Sequence, residues 1–294
     1  MAAGDLLTAD GQVEWRGVVL GSDAVLGTTS IEGWKDRAAR GGNRDLSGFH
    51  GALPARWLAE QRQVVWSFVN TVKGAALAAA IEELEALTQF DEQPVEEELC
   101  IRLDGVRAMV HATLVGVALP VGLDYSQAQY VTGAVRWVAS SPRKLLLPGK
   151  SEPIGLPTEA AGDGLEWPLE WPLDWGTGVT GGQVTVTNAG PAAAWPLLRV
   201  TGPAPALRIT NLDTGQRLTF DPAWTLPAGQ TIEIDTRPGY RTVLFTPSGV
   251  SADARLFVRD WFPIPARSSI RIGVDAAAYD PAARLTVLWH DTTQ

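Results

Sequence analysis

Apolar and polar positions change their rhythm along the chain, and the changes divide it into three parts. Arg62 to Val69 (RQVVWSFV) is a β-branched and aromatic run that reads as a strand. A helix is predicted next, from about Val72 to Thr88. Leu77, Ile81, Leu84 and Leu87 recur at i, i+4, i+7 and i+10 and so share one helical face. Glu82, Glu83 and Glu85 fall off that stripe, toward solvent, and Lys73 and Gly74 are poor caps for the first turn. Strands follow over Glu98–Leu103, Arg107–Val121 and Tyr125–Ala139, the first two joined by an Asp104-Gly105 hairpin signal. One helix among strands makes residues 1–147 α+β in character.

Residues 148–182 have neither a strand nor a helix period and are dense in Pro, Gly and acidic residues, the composition of an interdomain linker. Within them lies a near-repeat, Glu166-Trp167-Pro168-Leu169, Glu170-Trp171-Pro172-Leu173, Asp174-Trp175. Proline after tryptophan keeps such a segment extended, as a polyproline-like strap. Trp167, Trp171 and Trp175 are expected to dock on a domain or a partner, because large rings favour burial; an aromatic shelf for sugar is the other reading. From Gln183 to the end, nine short strands are separated by turn residues with no helical window: Gln183–Asn188, Pro196–Val200, Leu207–Thr210, Arg217–Phe220, Thr231–Asp235, Thr242–Thr246, Arg255–Val258, Ser268–Val274 and Arg284–His290. That spacing predicts a β-sandwich or jelly roll over residues 183–294. The fold class is therefore mostly β with one helix.

Composition narrows the function. The chain of 294 residues carries 24 basic and 33 acidic residues, a formal charge of −9. The deficit is spread over both halves with no basic cluster, which disfavours gripping nucleic acid or an anionic membrane. The longest uncharged apolar stretch, Ala108 to Leu123, is shorter than the roughly 20 residues of a spanning helix and is interrupted by Pro120. The start lacks the basic and apolar regions of a secretory signal. A single cysteine, Cys100, gives no internal disulfide and no cysteine-rich metal site, so folding in a reducing cytoplasm is expected.

No chemical motif survives its context. Gly176-Thr-Gly178-Val-Thr-Gly181 matches a dinucleotide-binding pattern, but Trp-Pro residues precede it and a strand pattern follows, where that chemistry needs strand and then helix. Asp213-Thr214-Gly215 has no second such motif to share a proton and reads as a hairpin turn. His50, His111 and His290 are far apart, without the paired spacing that gives two imidazoles to one metal. Glu96-Glu97-Glu98 reads as a solvated loop. There is no nucleophile elbow and no phosphate-binding loop. Catalytic, cofactor-binding and metal-ligating residues are thus expected to be absent.

The order of residues in the last part is more specific. It runs Val186-Thr-Asn188-Ala-Gly190, Trp195-Pro196, Val200-Thr-Gly202-Pro203 and Ile209-Thr-Asn211 with Thr214-Gly215. It continues through Leu226-Pro-Ala-Gly229-Gln-Thr-Ile232-Glu-Ile234-Asp235-Thr236, Arg259-Asp260-Trp261-Phe262-Pro263-Ile264 and Leu285-Thr-Val-Leu-Trp289. Ile31-Glu-Gly33-Trp34, Gly48-Phe49-His-Gly51 and Arg62-Gln-Val-Val-Trp66-Ser-Phe68 add to it in the first part. Together they resemble the distal tail proteins of siphophages, the rings that join tail tube to tail tip.

The resemblance implies a hexameric ring built from the N-terminal domain, stacked between the tail tube protein and the tip hub protein. It also implies a galectin-like C-terminal sandwich projecting outward as a docking site for receptor-binding proteins. Location at the virion tail tip, after assembly in the host cytoplasm, follows from it, as does the absence of catalysis. Strand residues Val64, Trp66 and Phe68 are the candidates for a ring interface. Six copies at −9 place −54 formal charge around a channel through which DNA only passes, so an acidic, DNA-repelling lumen is expected. The alternative function is a carbohydrate-binding module in host adsorption, with Trp224, Tyr240, Trp261 and Trp289 as stacking candidates, although each lies in or beside a strand pattern that also suits a core residue.

Overall fold

The structure is a computed structural model and describes residues 2–21, 25–54, 56–93, 95–157 and 182–294. The chain divides into two compact units, Met1–Leu147 and Pro148–Thr293.

The first unit is built from β1 (Val13–Trp15), β2 (Val18–Leu20), β3 (Leu26–Glu32), β4 (Arg62–Asn70), α1 (Ala75–Leu87), β5 (Glu97–Leu103), β6 (Val106–Ala118), β7 (Thr132–Ala139) and β8 (Lys144–Leu146). The strands run in the antiparallel order β2-β1-β5-β6-β7-β4-β3, with β8 against β6. β6 makes this path continuous: Val106 to Ala112 pair with β5, and from Thr113 onward the strand pairs with β7. A bulge between Leu114 and Gly116 lies just past the switch, where an extra residue bends and twists the strand.

Alternation in β4 sends Val64, Trp66 and Phe68 into the core, where they meet Trp15, Leu99 and Trp137. Burying each such side chain contributes about 1.5–3 kcal/mol. α1 covers this core with Leu77, Ile81 and Leu84, as the periodicity predicts, and leaves Glu82, Glu83 and Glu85 exposed. It starts later than expected because Gly74 sits at φ 78, outside helical space. The helix ends at Thr88, whose N–H and hydroxyl both donate to the Leu84 carbonyl, at 3.0 and 2.6 Å.

One expectation for this unit is corrected. The strand predicted from Tyr125 begins only at Thr132; Asp124–Ala128 form a single π turn and Gln129 follows at φ 48. Asn70 takes over the backbone bonding there, donating to the Gln129 carbonyl and accepting from the Val131 N–H, both at 2.8 Å. Three strands of this sheet also precede Arg62 without a signal in the sequence; two of them have three residues, too few to show an alternation.

The second unit is a sandwich. One five-stranded sheet has the order β9 (Lys150–Gly155), β18 (Arg284–Trp289), β11 (Leu197–Thr201), β14 (Thr231–Asp235), β15 (Val243–Thr246). The other has the order β10 (Gln183–Asn188), β17 (Ser268–Asp275), β12 (Arg208–Asn211), β13 (Arg217–Phe220), β16 (Leu256–Arg259). Leu198, Ile232, Ile234 and Val287 of the first sheet and Val186, Ile209, Phe220 and Ile272 of the second share one core. All nine predicted strands are present to within a residue or two at each end.

A tenth strand, β9, corrects the linker boundary. Lys150–Gly155 pairs along β18 from Lys150↔Trp289 to Gly155↔Arg284 and buries Ile154. Pro153 hides it in the sequence, yet proline is tolerated on an edge strand whose free side needs no donor.

Candidate functional site

Between β3 and β4 the chain leaves the body of the first unit as a long hairpin. Ala39–Arg40 pair with Leu58–Ala59, and Arg44–Asp45 pair with Ala52–Leu53. Every described residue from Lys35 to Gln61 is exposed except Leu46, which is half-buried. The arm nevertheless carries large apolar side chains: Phe49 is 80% exposed, Leu53 and Trp57 55% each, and Leu58 43%.

The root of the arm is held by one buried cation. Arg62, 5% exposed, donates through Nη1 to the carbonyls of Gly33, Trp34 and Asp36 at 2.7, 2.8 and 3.1 Å, and through Nη2 to that of Pro142 at 2.9 Å. Burial pushes its pKa down. Lys144 donates to the same Trp34 carbonyl at 3.0 Å and lies 5.3 Å from the centroid of the Trp34 ring. Burial, then the neighbouring Arg62, push the Lys144 amine down to about 8. Gly33 at φ +75 packs against the Gln63 carbonyl, a space that admits no β-carbon. An open groove of about 680 Å³ lies at this root, with Asp36, Arg37, Arg40, Glu60, Gln63 and Ser140 in its walls. The sequence signals of the arm are weak: two glycine-rich turns, and strands of two residues that are too short to alternate.

Val64, Trp66 and Phe68, the candidates for a ring interface, are core residues of their own unit. They are 0, 0 and 1% exposed, Trp66 stacks on Phe68 at 4.7 Å, and both edges of β4 are already paired, to β7 and to β3. The alternate residues of the strand, Gln63, Val65, Ser67 and Val69, are exposed or half-buried. Trp167, Trp171 and Trp175 lie outside the described residues, as does the Gly176–Gly181 pattern.

The sugar candidates do not assemble into a shelf. Trp224 stacks on Phe220 at 5.3 Å against the sandwich core, and Trp289, 6% exposed, donates from Nε1 to the Thr187 carbonyl at 2.9 Å. Trp261 is half-buried against the same core with Arg241 5.9 Å from its ring. Tyr240 is exposed, but the Arg237 guanidinium lies 4.4 Å from its centroid and is itself held by Asp235.

The remaining chemical candidates take structural roles. Asp213 accepts from the Arg271 N–H at 2.7 Å and from its Nε at 2.9 Å, which holds its carboxyl below the usual range; Gly215 at φ 75 closes the turn. Glu97 opens β5 and clamps Arg16 with both oxygens, at 2.7 and 2.8 Å, while Glu96 accepts from the Ser140 N–H at 2.8 Å. These two glutamates are therefore bonded, where the sequence suggested a solvated loop. Cys100 is buried, and burial pushes its thiol up to about 12. Among the described residues, no three His, Cys, Asp or Glu side chains cluster as a metal site, and no helix is long and apolar enough to cross a membrane.

A one-helix antiparallel unit followed by a sandwich of two five-stranded sheets defines a mostly β, two-unit class of protein. No protein-family model matches the chain, and no curated protein matches it. Solved structures do. The chain is similar to the Dit protein of phage SPP1, described as a paradigm of the hub adsorption apparatus in phages infecting Gram-positive bacteria. The match has a TM-score of 0.60 and 11% identity over 96% of this chain and 99% of that one. It is also similar to a chain of the phage P2 baseplate in its activated conformation with Ca, with a TM-score of 0.53 and 8% identity over 94% and 97% of the two chains. The fold is thus like those of the SPP1 Dit protein and the P2 baseplate chain, and it is mostly β, as expected.

Proposed function

We propose that this chain is a structural protein of the phage tail tip, a distal tail protein that forms a hexameric ring between the tail tube and the tip hub. The single observation that supports it is the extent of the likeness: both units, in order, follow the SPP1 Dit protein over nearly the full length of each chain. In this reading the first unit makes the ring, and the sandwich is a galectin-like arm that docks receptor-binding components. The chain has no chemistry of its own and no cofactor, and DNA passes through an acidic lumen without being gripped. Assembly takes place in the host cytoplasm, which suits a buried, unreactive thiol. The placement of Trp224 and Trp289 against the sandwich core leaves the carbohydrate-binding alternative without a supporting observation. Gold-labelled antibody against the full chain, applied to virions that contain it, should decorate one spot at the end of the tail. Label on the capsid or along the tube would overturn this assignment.

A further inference from the structure

We propose that the exposed arm of the first unit is a docking element for a second copy of this chain, and that it grips the acidic face formed by α1 and the segment after it. The proposal rests on the ring reading and names the contact that would close the ring.

The arm is unfinished as it stands. A lone two-stranded hairpin is marginal in water, yet this one displays Phe49, Leu53, Trp57 and Leu58 to solvent. About ten residues from its root to its turn give it a reach of about 30 Å at ~3.3 Å per residue. In a chain of net charge −9 it is locally basic, with five Lys or Arg against three Asp or Glu between Lys35 and Gln61. Among the described residues, Arg37, Arg40, Arg44 and Arg56 have no ion pair.

A complementary surface exists on the same chain. From Gly74 to Ile101 there are eight acidic residues and no basic one. Arg16 neutralises Asp91 and Glu97, but Glu82, Glu83, Glu85 and Glu92 are exposed and without an ion pair among the described residues. Phe90, 62% exposed, and Val95, 70% exposed, lie among them. One surface is basic and apolar, the other acidic and apolar. A contact between two different surfaces is heterologous; repeated around an axis, it closes a ring. Its charges set register and rate of encounter, and its aromatic side chains supply the buried area.

The experiment uses full-length chains and two variants altered only at exposed positions. One has the arm reversed, R37E/R40E/R44E/R56E, and the other the face reversed, E82K/E83K/E85K/E92K. Unchanged melting of each shows that it folds. The wild type should assemble, more weakly by about tenfold between 50 and 500 mM salt as screening shortens. Each variant alone should associate at least about a hundredfold more weakly, because attractive pairs become repulsive. Mixed one to one, they should assemble again, since both kinds of junction are then complementary, in alternating copies. Variants that assemble as the wild type does would overturn the arm contact and leave the ring reading standing. A mixture that stays monomeric while the wild type assembles would overturn it too, as would a wild type that stays monomeric under all conditions. In that last case six-fold symmetry at the tail tip would judge the ring on its own.

Discussion

Replacing Arg62 by methionine keeps most of the side-chain volume and removes the hydrogen bonds that its guanidinium donates at the root of the arm. Three carbonyls share Nη1, which has two protons, and a fourth takes Nη2, so the loss counts as about three full bonds. At about 1.5 kcal/mol for each bond to a charged donor, that is ~4.5 kcal/mol; release of the guanidinium from its buried site offsets part of it, leaving about 3 kcal/mol. Native-state hydrogen exchange, read by mass spectrometry on peptides from β4 and β7, measures this within the first unit. A loss of about 3 kcal/mol predicts roughly 150-fold faster exchange there. The exposed Arg136, on the neighbouring strand, is the control, and its methionine variant should stay within about 0.5 kcal/mol of wild type. If Arg62→Met behaves like the control, the buried cation does not hold the arm, and the account of the root is wrong.

Lys144 is pushed down to about 8 from an ordinary 10.5, so the unfolded chain binds more protons than the folded one between those values. The burden of its charge is present below pH 8 and is relieved as pH rises toward 10.5; wild type should gain stability over that window relative to Lys144→Met, and parallel pH profiles would refute this. Cys100, pushed up to about 12 from 9.0, should have about a thousandfold less thiolate than a free cysteine near pH 8. A colorimetric thiol reagent should therefore label it only after denaturant is added, and prompt labelling of the native chain would contradict its burial. Gly190→Ala would drive a β-carbon into the backbone of Thr292, which has no flexible end to swing aside, and should cost the sandwich about 3 kcal/mol in urea unfolding. An unchanged urea midpoint would mean that this turn is looser than described.

What the sequence made legible follows from how much structure each residue pattern implies. The sandwich was legible because its strands alternate: Ile232 and Ile234 point inward and are buried, and Glu233 between them is half-exposed. The helix was legible from one stripe, Leu77, Ile81 and Leu84. β9 was hidden by Pro153, which removes a donor that an edge strand does not need. The start of β7 was hidden because Asn70, a residue on another strand, supplies the bonding of residues 129–131. Val64, Trp66 and Phe68 illustrate the main ambiguity of the candidate site: an aromatic strand pattern suits a core and an interface equally, and pairing on both edges of β4 decides for the core. The arm was nearly illegible because its pairs are two residues long and its apolar side chains follow no period, having no core of their own to face.

The central claim is a six-fold ring, and the mass of the purified full chain in low-salt solution, with negative-stain images of the same fraction, tests it most directly. The account predicts particles of six times 31.5 kDa that appear as rings with a central channel. A chain that remains at 31.5 kDa across the concentration range, with no rings in the images and no six-fold symmetry at the tail tip of virions that contain it, would contradict it.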